Sequence, residues 1–146
     1  MKQKVWLAFC VVPLLAFGLV THVAADEGGA ELDLTAVLTP GPASDLTGTA
    51  EITINLGTSI LCWDLEYTTT EQVTAAHIHE GAAGVNGPVV FGFFDTINEG
   101  CRSGDPALLA KIAAHPGAYY VNVHTTKHPG GASRGQLTAQ HEGESD

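Results

Sequence analysis

Apolar and polar residues alternate with a period of two along most of this chain, and that pattern confines it to sheet-based folds. From Thr49 to Leu56, the side chains of Ala50, Ile52, Ile54 and Leu56 fall on one face and those of Glu51, Thr53 and Asn55 on the other. From Ile60 to Tyr67, Leu61, Trp63, Leu65 and Tyr67 share a face opposite Cys62, Asp64 and Glu66. Similar short runs occur at Leu32–Leu38, Val73–His79, Val89–Phe94, Tyr119–Thr125 and Gly135–Gln140. Turn signals separate them: Pro40-Gly41-Pro42, Gly57-Thr58, Asn86-Gly87-Pro88, Pro116-Gly117 and Pro129-Gly130-Gly131. Strands this short, interrupted this often, predict an all-β domain: an antiparallel Greek-key sandwich or barrel of about seven to eight strands. One segment departs from the pattern. Asp105 as N-cap, Pro106 at the first helical position, and Leu108, Leu109 and Ile112 at helical spacing predict a short helix or helical turn over 107–114.

The amino end reads as an export signal. Lys2 and Lys4 form a positive n-region, Val5 to Val20 is almost wholly apolar, and Val23-Ala24-Ala25 supplies small residues for a signal peptidase. A membrane anchor is the competing reading, but the run of about 16 residues is short of the ~20 a spanning helix needs. Residues 1–25 are therefore expected to be a signal peptide. Residues 26–146 then form a single β domain that ends in a short acidic tail, His141 to Asp146, secreted or periplasmic and without a membrane span. Removing the first 25 residues takes away two lysines and no acid, which moves the formal charge from −10 to −12. Such a surface repels phosphate backbones and excludes nucleic acid as a partner.

Cys62 and Cys101 remain after cleavage. In an oxidising compartment an even pair forms a disulfide, and closing a loop of about 40 residues contributes roughly 4 kcal/mol in the chain-entropy account. A thiolate metal site is the alternative, and the absence of any C-x-x-C spacing argues against it.

Six histidines remain: His77, His79, His115, His124, His128 and His141. His77 and His79 are two residues apart in a predicted strand, so they face the same way about 6.6 Å apart, with Ile78 turned to the other side. His124 shares its face with Tyr120 and Asn122, while Val121 and Val123 point away. If the two strands lie side by side, His77, His79 and His124 meet. Three neutral imidazoles suit copper or zinc, and an all-nitrogen set favours copper. The plainer reading is a pair of exposed polar residues, with His115, His128 and His141 solvated; His128 or His115 is the candidate fourth ligand. Arg134, in Gly130-Gly131-Ala132-Ser133-Arg134-Gly135, either pairs with a surface acid or holds a small anion near a metal. The Asn86-Gly87-Pro88 segment reads as a hairpin turn with no chemistry.

Two stretches carry a family resemblance. Ala75-Ala76-His77-Ile78-His79-Glu80-Gly81, followed by Gly84-Val85-Asn86-Gly87-Pro88-Val89-Val90, resembles the first signature of the CHRD (chordin-type) domain. Tyr120-Val121-Asn122-Val123-His124-Thr125, then Pro129-Gly130-Gly131 and Arg134-Gly135-Gln136-Leu137, resembles the second. The likeness runs roughly from Glu31 to Ala139. Where the family usually has Gly-Glu-Ile-Arg-Gly-Gln, Ala132 and Ser133 stand in place of the Glu and Ile, so a carboxylate that could partner the arginine is missing.

His77, His79, His124 and Arg134 also occur in the order found in copper–zinc superoxide dismutases, which are Greek-key barrels. In those proteins a His-x-His pair and a later histidine bind copper, and an arginine in a Gly-rich stretch guides superoxide. That resemblance implies a single copper site with Arg134 in the anion-guiding role. It implies no bimetallic zinc site, because no histidine lies between His79 and His115. The chordin likeness implies a different function, a non-catalytic extracellular module that binds a protein partner and uses its histidines structurally. No Ser/His/Asp spacing or carboxylate pair indicates a hydrolase.

Overall fold

A computed structural model describes residues 30–94 and 96–140. The expected signal peptide and acidic tail, with His141, lie outside the described residues. Nine strands occur among them: β1 (Glu31–Pro40), β2 (Thr47–Asn55), β3 (Ile60–Thr68), β4 (Val73–Glu80), β5 (Val89–Gly92), β6 (Glu99–Ser103), β7 (Tyr119–Thr125), β8 (Ser133–Gln136) and β9 (Thr138–Ala139). They form one curled antiparallel sheet, a half-barrel, in the order β5-β4-β7-β8-β1-β2-β3-β6, with β9 paired to β1. The all-β expectation holds.

The alternation in the sequence is what curls this sheet around a core. Leu34, Ala36 and Leu38 of β1, Ala50, Ile52 and Ile54 of β2, and Leu61, Trp63 and Leu65 of β3 are all buried on one face. Ala76 and Ile78 of β4 and Val121 and Val123 of β7 close the same core from the other half. Strand β1 joins the halves: it pairs with β2 along Glu31–Leu38 and with β8 at Thr39 and Pro40. The one α-helix among the described residues, α1 (Pro106–Ala114), lies on the crossover from β6 to β7. Asp105 caps it, its Oδ1 accepting from the backbone N–H of Leu108 at 2.9 Å, and Leu109 and Ile112 reach the core.

The two edge strands, β5 and β6, are each laddered on one side only, and side chains rather than a ladder link one edge to the other. The Trp63 ring stacks on Phe93 at 4.9 Å, and Arg102 donates to the carbonyl of Gly92 at 3.2 Å. Cys62 and Cys101 face each other in the β3–β6 register and are joined by a disulfide.

Three details depart from the sequence reading. Strand β6 was not foreseen, because its residues are mostly exposed and show no apolar alternation. The expected strand over 135–140 is two short strands with different partners: β8 pairs with β7 and β1, and β9 with β1 alone. The Asn86-Gly87-Pro88 segment is not a tight hairpin turn. It is the end of an eight-residue connection, 81–88, whose left-handed residue is Gly84 at φ 80°.

Candidate metal centre

Each core strand has a second face, and on β4 and β7 that face carries the polar residues. The register sets His77 opposite Asn122, His79 opposite Tyr120, and Ala75 opposite His124. Directly opposed residues share a face. The three histidines therefore gather on the side away from the core, where the loops 81–88 and 126–132 pass over them. One ring nitrogen from each of His77, His79 and His124 lies within 4.8 Å of the others, a group that could hold a metal ion. Neither His115 nor His128 belongs to this group. His115 is exposed at the carboxyl end of α1. His128 is not simply solvated: its Nε2 lies 3.3 Å from a carboxylate oxygen of Glu71.

Hydrogen bonds assign the ring protons. Nδ1 of His79 lies 2.9 Å from the carbonyl oxygen of Gly87, and Nδ1 of His124 lies 2.9 Å from that of Pro129. A carbonyl only accepts, so in both rings Nδ1 carries the proton and Nε2 presents its lone pair. Nδ1 of His77 then donates to Nε2 of His124 at 3.2 Å. Nε2 of His79 is buried and has no partner among the described residues. Burying an unpaired ring nitrogen costs about 1–3 kcal/mol, so a purely structural histidine would have both nitrogens satisfied. A cation accepting that lone pair removes the penalty. The carbonyl partners are the outer contacts that a metal-ligating imidazole ordinarily has. Burial, with smaller contributions from the nearby His124 and His79 rings, pushes the His77 imidazole below its usual pKa and favours the neutral form that binds metals.

Tyr120 is a neighbour the sequence reading left without a role. Its ring stacks on His79 at 5.0 Å, and its hydroxyl accepts from the backbone N–H of Gly87 at 3.1 Å. The guanidinium of Arg134 lies 3.5 Å from the centre of the same ring. Strands β4 and β8 flank β7 on opposite sides, which puts His79 and Arg134 against the two faces of Tyr120. Arg134 donates to Asn86 Oδ1 at 3.2 Å and to the Val85 carbonyl at 3.1 Å. It forms no ion pair with an acid among the described residues, contrary to the plainer expectation. The Asn86-Gly87 segment thus positions both His79 and Arg134, where the sequence suggested only a turn.

Residues 29–137, well over half of the chain, match the family described as the CHRD domain. No curated protein and no solved structure is significantly similar to the chain. Among the described residues, no helix is long and apolar enough to cross a membrane.

Proposed function

The chain belongs to the CHRD-domain family, and on that premise we propose that it is an exported domain binding one copper ion through His77, His79 and His124. The observation that carries this reading is the buried Nε2 of His79, a lone pair with no partner beside two other imidazoles. The all-nitrogen donor set favours copper over harder cations. Removal of residues 1–25 would deliver the domain to a secreted or periplasmic setting, consistent with its disulfide.

The same site suits a superoxide dismutase-like activity. Bound copper would supply one-electron cycling between its two oxidation states. The chain's own contribution is to hold three neutral imidazoles in place and to offer one cation, Arg134, to an approaching anion. In a domain whose formal charge is −12 without its leader, that local positive charge would offset the repulsion an anionic substrate meets. Stacking on Tyr120 holds the guanidinium in place. The chordin-type alternative, a protein-binding module with structural histidines, leaves the unpartnered nitrogen unexplained.

The test is metal content and Cu(II) titration of the purified protein beside His77→Ala, His79→Ala and His124→Ala. One tightly bound copper per chain, lost in all three variants, supports the reading. No specific binding, with the variants merely less stable, would make the histidines scaffold and direct the search to protein partners.

A further inference from the structure

Glu71, in the connection between β3 and β4, buries its carboxylate: the side chain is 3 % exposed. A carboxylate so enclosed needs close partners, or it would be neutralised. It has two besides the exposed Lys127 ammonium at 3.9 Å. The Thr125 hydroxyl donates to Oε2 at 2.5 Å, and His128 Nε2 sits 3.3 Å from Oε1. Thr125 ends β7 directly after His124, and His128 lies in the turn that follows.

That turn is wound around the same two residues. The backbone N–H of His128 donates to Thr125 Oγ1 at 3.1 Å. The His128 carbonyl accepts from the N–H groups of Thr125 at 3.3 Å and Gly131 at 3.0 Å. The bond from Gly131 encloses Pro129 and Gly130, and the Pro129 carbonyl accepts from Nδ1 of His124. The bond between Thr126 N–H and the Gln72 carbonyl, 3.0 Å, ties the turn to the residue after Glu71.

We infer that Glu71 is a positioning residue for the three-histidine site: by gripping Thr125 and His128 it holds the Pro129 carbonyl where it orients the His124 ring and keeps its Nε2 unprotonated. This inference rests on the metal-binding reading for its purpose, though not for its geometry. Glu71 touches none of the three rings and acts only through the turn.

The test uses the full protein with Glu71→Ala and, as a milder change, Thr125→Val, which keeps the shape of the side chain and removes the hydroxyl. Nitrogen-15 NMR of the imidazoles in metal-free protein reads the tautomers directly. Wild type is expected to show slowly exchanging Nδ1–H signals for both His79 and His124. Glu71→Ala is expected to lose the His124 signal while retaining that of His79, whose partner Gly87 lies in another loop. Cu(II) affinity should fall about 10- to 100-fold, in the range for outer contacts of ligating histidines. If Glu71→Ala does not fold, the same selective loss in Thr125→Val decides the matter. An unchanged His124 signal in either folded variant, or affinity within about twofold of wild type, would overturn the inference. A wild type that binds no copper, but whose His124 tautomer still depends on Glu71, would overturn the metal reading and leave the positioning role standing.

Discussion

Gly87 has no room for a side chain because Glu80 occupies the space: a Cβ on Gly87 would lie 1.6 Å from the Glu80 carbonyl oxygen. This close approach brings the Gly87 peptide to the site, where its carbonyl meets His79 and its N–H meets the hydroxyl of Tyr120. The glycine is needed for proximity rather than for an unusual backbone angle.

Gly87→Ala must push two backbone segments apart. The expected cost is about 1–3 kcal/mol, as for overpacked cores, together with a fall in copper affinity because His79 loses its carbonyl partner. Urea unfolding and Cu(II) titration measure the two effects separately. Lower stability with unaltered affinity would detach Gly87 from the site.

Copper should stabilise the folded chain by mass action. At free copper about 100 times Kd the gain is about 2.7 kcal/mol, visible as a raised Tm. Each of His77→Ala, His79→Ala and His124→Ala should abolish that rise. A rise that survives in all three would place the metal elsewhere.

Arg134→Ala should leave copper binding intact and lower superoxide turnover. Arg134→Lys should restore little, since an ammonium cannot reproduce a planar group that stacks on Tyr120 and donates to Asn86 and Val85 together. Turnover equal to wild type in Arg134→Ala would sink the anion-guiding role.

The pH dependence of stability follows from His77. Burial and the neighbouring His124 and His79 rings lower its folded pKa, so the unfolded chain takes up the proton first as pH falls. The stability due to the neutral ring is full above the ordinary imidazole range and is lost as pH falls through the folded pKa. Between about pH 8 and pH 5, His77→Gln should show a flatter decline in its urea midpoint than wild type. Parallel curves would remove His77 as the cause.

Asp45 gives a separate acid signature. The Thr69 and Thr70 side chains, and then the Thr70 backbone N–H, donate to its carboxylate and lower its pKa from 3.8 to about 2. Its contribution is present above the unfolded value and disappears as pH falls through about 2. Any advantage of wild type over Asp45→Asn should therefore vanish in acid. An advantage that persists there would mean the charge is irrelevant.

Much of this architecture is legible in the residues alone. Alternation marks β1 to β4 and β7 because each has one face in the core, and Asp105-Pro106 announces α1 because capping is a local event. His77 and His79 share a face for the same reason: side-chain direction in a strand repeats every two residues. Strand β6 carries no such mark, being an exposed edge defined by its ladder to β3 and the disulfide.

The third histidine is another matter. His124 is 47 residues from His77, and only the pairing of β4 with β7, including its register shift near Ala75, brings the rings together. The supports of the site are equally non-local. Gly87, Pro129 and Glu71 act through backbone or carboxylate atoms, and Tyr120 through its ring and hydroxyl, and these contacts depend on how loops fold back over the sheet. Periodicity is a property of neighbours along the chain, so the sequence by itself determined the sheet and its two faces. Which strands lie side by side, and which carbonyl meets which imidazole, depends on contacts between distant segments, and that only the tertiary structure decided.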